Sequence, residues 1–363
     1  MLFREAAVIV FASAAPCKIQ NNKYYLKCDY MKQFLLLIFF PVLFGARNNR
    51  LYSQTSGKAI TNMLRIYEDN DFINILGKGT DEAYTNGTRI EFLYVENNKS
   101  RFLLDRIFPK AGDSSINIFG VTVTQLMFTP RDISTTKYQP GDYPYSGALF
   151  ISRILYSYNP VKKYSLNTEL VLGIRGPGAF AEQTQTFIHS LINYQRPMGW
   201  QNQLENKLIL NLNVASEKQL FSYKNSFDII GGAEIFTGTF FNSAVLYPLV
   251  RIGKMNPYFN GLISQYSAST SRKQNRQLYF ILKPELIFTA TNALLESGKK
   301  QNISKEENSN INTKIEKFVY ALNAGAVLTI KRFSISINQN ITSTMIEHLY
   351  KHEVGNISFY FSW

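Results

Sequence analysis

The dominant pattern along this 363-residue chain is the alternation of apolar with polar or small positions. Leu208, Leu210, Leu212 and Val214 are interleaved with Ile209, Asn211 and Asn213. Phe333, Ile335 and Ile337 alternate with Ser334, Ser336 and Asn338, and Phe318, Tyr320, Leu322, Ala324 and Ala326 enclose Asn323 and Gly325. Successive side chains of a strand point to opposite faces, so each run predicts a strand with one apolar and one small or polar face. A soluble sandwich turns the apolar face inward, whereas a membrane barrel turns it out to lipid and fills its lumen with polar groups. Two features select the barrel. The chain ends as a strand, Ile357, Phe359, Phe361 and Trp363 alternating with Ser358, Tyr360 and Ser362, and closing on an aromatic is common in outer-membrane barrels. The strand candidates also run to about ten residues, enough to cross a bilayer when tilted.

Twelve strands are predicted, near residues 62–69, 86–96, 116–128, 145–158, 164–174, 205–214, 224–236, 241–252, 277–289, 315–330, 332–342 and 353–363. The fold class is thus all-β, a twelve-stranded antiparallel transmembrane barrel, and the even count suits a single chain. In an up-and-down barrel every connection after an odd strand emerges on one rim. The loop after the first strand and the loop after the fifth therefore share a side, which is the cell exterior if both termini are periplasmic.

One stretch departs from the strand pattern. Between Gly176 and Leu204 there is a Gly-Pro-Gly break, and from Ala179 to Asn193 neither Pro nor Gly occurs, which predicts a helix in an extracellular loop. At about 100° per residue Glu182, Gln185 and His189 share one face and Phe180, Phe187 and Leu191 the opposite one.

The amino-terminal end changes the picture of the domain. Met31-Lys32-Gln33, the apolar run Phe34 to Phe44 and the small pair Gly45-Ala46 read as a secretory signal peptide. It is short for a transmembrane helix of roughly 20 residues. The expected organisation is an extension and signal peptide over residues 1–53, with Met31 as the working start, and a barrel with catalytic loops over 54–363. Cys17 and Cys28 precede Met31, so a mature chain processed in this way would have neither a disulfide framework nor a thiol nucleophile. A net charge of +13 without nucleic-acid or nucleotide motifs fits either a solvated basic surface or an anionic partner such as lipopolysaccharide phosphate. The polar segment Lys299 to Asn312 reads as a loop.

Candidate chemistry gathers on the odd rim. Glu68-Asp69-Asn70-Asp71-Phe72 and Asp81-Glu82-Ala83-Tyr84-Thr85-Asn86-Gly87 place acidic and amide oxygens at strand ends. Such oxygens suit a hard cation like calcium, or simply cap a loop and make a turn. His189, with Gln185 one turn away, is either a structural histidine or a base that deprotonates water. A cation beside it would polarise an ester carbonyl and hold the oxyanion, so ester hydrolysis needs no serine or cysteine nucleophile. Glu347-His348 and His352 lead into the last strand and read as loop and strand-end polarity rather than a metal site.

Several blocks together resemble the outer-membrane lipid A 3′-O-deacylases. They are Glu68 to Phe72, Tyr84 to Gly87, Gln125 to Ile133, Asp142-Tyr143-Pro144-Tyr145, Gly176-Pro177, Gln185-x-x-x-His189 and Gly199 to Leu204, spanning Leu64 to Trp363. The resemblance implies a twelve-stranded barrel whose site lies between the wall and the loop helix. It implies essential roles for Asn70, Asp71, Thr85, Gln185 and His189, with His189 activating water and Asp71 with Asn70 holding Ca2+. Its substrate would be lipid A of the outer membrane, acted on by a monomer. Two positions depart from the family pattern: Gln195 stands where an acid is expected, and Tyr143 where an arginine is usual. The missing acid motivates an alternative, a non-catalytic pore or surface-binding barrel.

Overall fold

A computed structural model describes residues 60–74, 82–96, 102–268, 276–296 and 314–363. The expected signal peptide, Cys17, Cys28, Asp81 and the segment Lys299 to Asn312 lie outside the described residues. The unit formed by Gly57–His189 and Gln195–Trp363 contains the strands. They are β1 (Asn62–Asn70), β2 (Ala83–Val95), β3 (Ile116–Thr129), β4 (Ser146–Asn159), β5 (Tyr164–Arg175) and β6 (Lys207–Tyr223). They continue with β7 (Phe227–Gly238), β8 (Phe241–Lys254), β9 (Arg276–Asn292), β10 (Phe318–Ile330), β11 (Phe333–Thr342) and β12 (His352–Ser362). Each pairs antiparallel with its sequence neighbours, and β1 pairs with β12 to close the barrel. Among the described residues three short helices accompany them: α1 (Leu103–Ile107), α2 (Ala181–Leu191) and α3 (Leu262–Gln265). Ser190–Tyr194 fall outside the barrel unit and comprise the end of α2 and the turn after it.

The alternation has the predicted sense. Leu208, Leu210, Phe318 and Tyr320 face out and are exposed, while Ile209, Asn211, Ser334, Ser336, Ser358 and Ser362 face in and are buried. One strand is longer than expected. β6 runs to Tyr223 instead of ending near 214, because Ser216-Glu217-Lys218 interrupts the apolar rhythm without interrupting the backbone ladder. Inside, the Glu217 carboxylate receives Ser165 Oγ at 2.8 Å, Tyr258 Oη at 2.7 Å and Tyr247 Oη at 3.1 Å. The turn that follows places Lys224 and Asn225 in the left-handed region.

The lumen is filled rather than open. At mid-height Arg65 pairs with Glu91 at 2.6 Å, and Arg89 pairs with Glu91 at 2.8 Å and Glu169 at 3.0 Å. Buried charges require such partners, since an isolated ion in a low-dielectric interior is costly. Towards the odd-loop rim Phe128, Tyr143, Phe150, Phe240, Leu294 and Ile346 form an apolar layer. At the opposite rim residues 255–268, the described part of the connection after β8, turn inward. Their 3-10 turn Tyr258–Asn260 and α3 bury Phe259, Leu262 and Ile263 against Met63, Leu93 and Ile118. Each such side chain contributes about 1.5–3 kcal/mol of burial. The plug is tied down by polar contacts as well: Arg251, ion-paired to Asp228, donates to Asn256 O, and Tyr266 stacks on Tyr360 with centroids 3.9 Å apart. Between the two layers lies a cavity of about 420 Å³ bordered by Arg65, Asp69, Arg89, Glu169 and Asn211.

Candidate functional site

The site begins with one extra residue in β2. Tyr84 pairs with Phe128 and Asn86 with Met127, so Thr85 has no partner of its own in the register and forms a bulge. A bulge re-aims side chains relative to the two-residue period. Tyr84 keeps the inward orientation and donates to Asp69 Oδ2 at 3.1 Å. The Thr85 hydroxyl instead lies 2.6 Å from that of Thr129, on the outward row that continues from the exposed Val121 and Val123. Thr85 is buried there, at the outer wall of the barrel.

Asn70 occupies the same wall. Along β1 and β2 the outward pair Ile66 and Ile90 is exposed and apolar, and the next outward pairs are Glu68 with Thr88 and Asn70 with Asn86. Glu68 accepts from Thr88 Oγ1 at 2.7 Å and from the Asn86 amide. Asn70 ends β1 and caps the single 3-10 turn Asp71–Ile73, its Oδ1 accepting the Phe72 N–H at 2.8 Å. Asp71 is fully buried in that turn, and its Oδ2 accepts the Glu82 N–H at 2.9 Å. The turn presses on β12 at Gly355, where a Cβ would stand 2.5 Å from Ile73 O.

The helix predicted in the fifth-strand loop is α2, and it lies against the outside of the wall. Gln125 on β3 donates to Ala179 O at 2.7 Å, and a Cβ on Gly147 of β4 would fall 2.4 Å from Ala181 Cβ. The outer face of β3 is therefore a floor shared by Thr85, through Thr129, and by the entry to α2. The wall-side residues of the helix are Ala181, Gln185 and His189, all buried. Phe180 and Phe187 point away, as expected from the periodicity. Glu182 does not join the inner face; it is exposed, and Ala181 takes the position over Gly147 because only a methyl group fits there.

Two contacts fix the polar pair. Trp200, itself buried and 5.0 Å from the Tyr145 ring, donates its indole N–H to Gln185 Oε1 at 2.8 Å. Gln185 Nε2 is buried with no hydrogen-bond partner among the described residues. His189 Nδ1 lies 2.5 Å from Gln195 O. A carbonyl oxygen only accepts, so Nδ1 carries a proton, and in the neutral ring the lone pair is then on Nε2. The Gln195 side chain takes no part in this and donates to Arg196 O at 3.0 Å.

Above the site the odd loops are laced together. Arg131 pairs with Glu82 at 2.9 Å, its main-chain N–H donates to Asp142 at 2.9 Å, and its guanidinium lies 4.0 Å from the Tyr350 ring. Tyr350 Oη in turn donates to Asp142 Oδ1 at 3.0 Å. Tyr143, at the position where arginine is usual, is buried beneath this layer, and burial pushes its hydroxyl up to about 12. His348 is a loop residue and His352 opens β12 beside Tyr84, in keeping with the reading of this pair as loop and strand-end polarity.

Trp200, Thr129 and Gly147 were not singled out from the sequence as site residues. The first two lie inside quoted motif blocks. Gly147 carries no signal at that level, since its importance is the distance to a helix far along the chain.

The donors near Asn70 and Asp71 are hard oxygens of the kind calcium binds. Among the described residues, however, no group of three or more His, Cys, Asp or Glu could hold a metal. The set thus fits calcium in kind, with one buried carboxylate and one amide oxygen. Most of the six to eight ligands would be main-chain carbonyl, water or substrate oxygens.

The chain matches the family described as outer membrane protein LpxR over residues 34–363. A comparison with curated proteins gives no match. Among solved structures, LpxR from Salmonella typhimurium aligns with a TM-score of 0.66 at 16% identity, covering 82% of this chain and 99% of that one. The β domain of the Bordetella autotransporter BrkA aligns with a TM-score of 0.38 at 10% identity, covering 84% of this chain and 100% of that one. The protein therefore belongs to the LpxR family of outer membrane proteins, the lipid A deacylase family its motifs resemble, and carries that family's closed twelve-stranded barrel.

Proposed function

We propose that this chain is an outer-membrane lipid A deacylase that hydrolyses the 3′-linked acyl or acyloxyacyl ester with a water activated by His189. The observation that carries the reading is where the polar side chains open. Asn70 and Thr85 lie on outward rows of the barrel wall, and Gln185 and His189 on the buried side of the helix seated outside that wall, rather than in the lumen. A lipid in the surrounding leaflet presents its esters to that face, and the rim bearing the odd loops is then the cell exterior.

In the proposed reaction His189 Nε2 takes a proton from water as the oxygen bonds to the ester carbonyl carbon. Nδ1, held by Gln195 O, lets the ring carry the resulting positive charge. The bond from carbonyl carbon to sugar oxygen then breaks, and the His189 proton passes to that oxygen to give the free 3′-hydroxyl and the fatty acid. Gln185 Nε2, a buried donor without a partner, is suited to the carbonyl oxygen as its charge develops. Asp71 and Asn70 would hold a calcium ion, which when bound would polarise the ester. Thr85 and Thr129 define the wall beneath.

The filled lumen argues against the pore alternative, because apolar layers occupy both ends among the described residues. The test is mass spectrometry of lipid A from a host expressing the chain, beside His189→Ala and with calcium chelated. Loss of one acyl or acyloxyacyl mass, abolished by the variant and the chelator, is the expected result. Unchanged lipid A with the barrel folded in the membrane would overturn the proposal, and loss insensitive to the chelator would overturn the calcium role alone.

A further inference from the structure

The outer wall carries a second covering element, at the opposite rim from α2 and on the same strands. α1 and the residues after it lie on the outside of β3 and β4: Leu104 and Phe108 pack on Phe119, Leu155 and Leu170, which face outward. The Ala111 N–H donates to Ser157 Oγ at 2.8 Å, and Asn159 Nδ2 donates to Ala111 O at 2.7 Å. The segment is thus fastened to the wall. Beneath it sits Arg153, an arginine in the outward row between Ile151 and Leu155. Its guanidinium is directed to Asp105 at 2.8 Å and 2.5 Å and to Tyr94 Oη at 2.6 Å. A lone arginine on the lipid face of a barrel is destabilising. Here a fully buried aspartate on α1 neutralises it.

The opposite side of this segment is apolar and exposed. Leu103 and Ile107 are exposed by 72% and 63%, with Arg106 and Lys110 exposed beside them, and Phe102, whose ring lies 5.0 Å from the Arg153 guanidinium, still leaves 62% of its surface open. This face is continuous with an aromatic girdle on the same rim. Trp363 lies 6.0 Å from Phe92, Phe92 6.0 Å from Tyr94, and Tyr94 6.1 Å from Phe119. Aromatic girdles mark the interfaces of membrane barrels. An apolar face edged by basic residues at that depth matches acyl chains below and phosphate headgroups above.

We infer that α1 is an interfacial anchor: Leu103 and Ile107, with Phe102 just before them, insert into the phospholipid leaflet at the rim opposite the odd loops, and Arg106 and Lys110 meet its phosphates. This rests on the membrane barrel and on the orientation that puts the odd loops at the cell exterior, and is independent of the ester chemistry.

The test uses the full chain carrying Cys17→Ser and Cys28→Ser, reconstituted in vesicles of phosphatidylethanolamine and phosphatidylglycerol. Single nitroxide labels are placed at Leu103→Cys and Ile107→Cys, with Ile151→Cys as the lipid-facing reference and Lys224→Cys as the aqueous one. The expected result is that labels at 103 and 107 collide with oxygen as the label at 151 does, and are shielded from a water-soluble nickel chelate. Chelate access equal to that at 224 would overturn the anchor. Exclusion of both reagents would overturn it too, by showing that a second copy or another part of the chain covers this face.

Discussion

His189 Nδ1 lies 2.5 Å from the main-chain oxygen of Gln195. The contact assigns the orienting role at position 195 to the backbone, so the absence of the expected acid leaves the histidine's tautomer intact. Gln195→Ala should keep ester hydrolysis within about threefold of the parent, whereas His189→Ala should lower it by about 10² to 10⁴. Acyl release from purified lipid A by the two variants separates these outcomes. A collapse of the rate in Gln195→Ala would mean that the side chain acts after all.

Trp200 and Gln185 form the second orienting contact. Trp200→Phe removes the indole donor and leaves Gln185 Oε1 buried without it, a loss of about 1–3 kcal/mol at this spot. The freed amide can then turn away from the site. Hydrolysis is expected to fall about tenfold, a loss of about 1.4 kcal/mol at the transition state, while the barrel stays folded by its heat-dependent mobility on a gel.

Gly147 sets how closely α2 approaches the wall. Gly147→Val places side-chain atoms where Ala181 Cβ now sits, and both partners are on rigid elements. The helix must lift, so activity should be lost while circular dichroism still reports the full strand content. The same substitution paired with Ala181→Gly should recover part of the rate.

The plug at the other rim predicts an electrically silent barrel. Planar bilayers containing the parent should show no conductance. Asp228→Ala leaves Arg251 buried without its carboxylate, a destabilisation of about 3–5 kcal/mol for a broken buried pair. The plug should then loosen and intermittent conductance appear.

Tyr143 supplies a pH dependence in the odd loops. Its hydroxyl accepts the Met345 N–H and donates to Tyr350 O, each at 3.4 Å, and burial raises it to about 12 from an unfolded value near 10. A folded value above the unfolded one means the stabilisation is complete below pH 10 and is lost as pH rises through about 12. Proteolysis between Ser343 and Lys351 should accelerate over that interval, and Tyr143→Phe should remove the step.

Much of this barrel was legible in the chain, because an apolar-out strand repeats every two residues and Leu208 to Val214 or Phe333 to Asn338 show the repeat without interruption. Where the polar run at Ser216 masks it, the strand end was misplaced. The helix face was legible for Gln185 and His189 for the same reason of fixed period. Glu182 was placed wrongly because periodicity does not register how near Gly147 comes. The bulge at Thr85 was invisible, since one extra residue leaves no mark in composition; its block stood out as an oxygen-rich strand end, and only the role of Thr85 came from the resemblance. The inward turn of 255–268 was hidden too, because Phe259 and Leu262 look like any loop apolar residues until their partners on β1 to β3 are known.

The stacking of Tyr266 on Tyr360 bears on the seam of the barrel. Tyr360 belongs to β12, the strand that closes the ring against β1. The segment carrying Tyr266 packs from inside on both strands of that seam, against Met63 of β1 and Tyr360 of β12. The closing pair is thus held twice, by its backbone ladder and by a plug that bridges it from within.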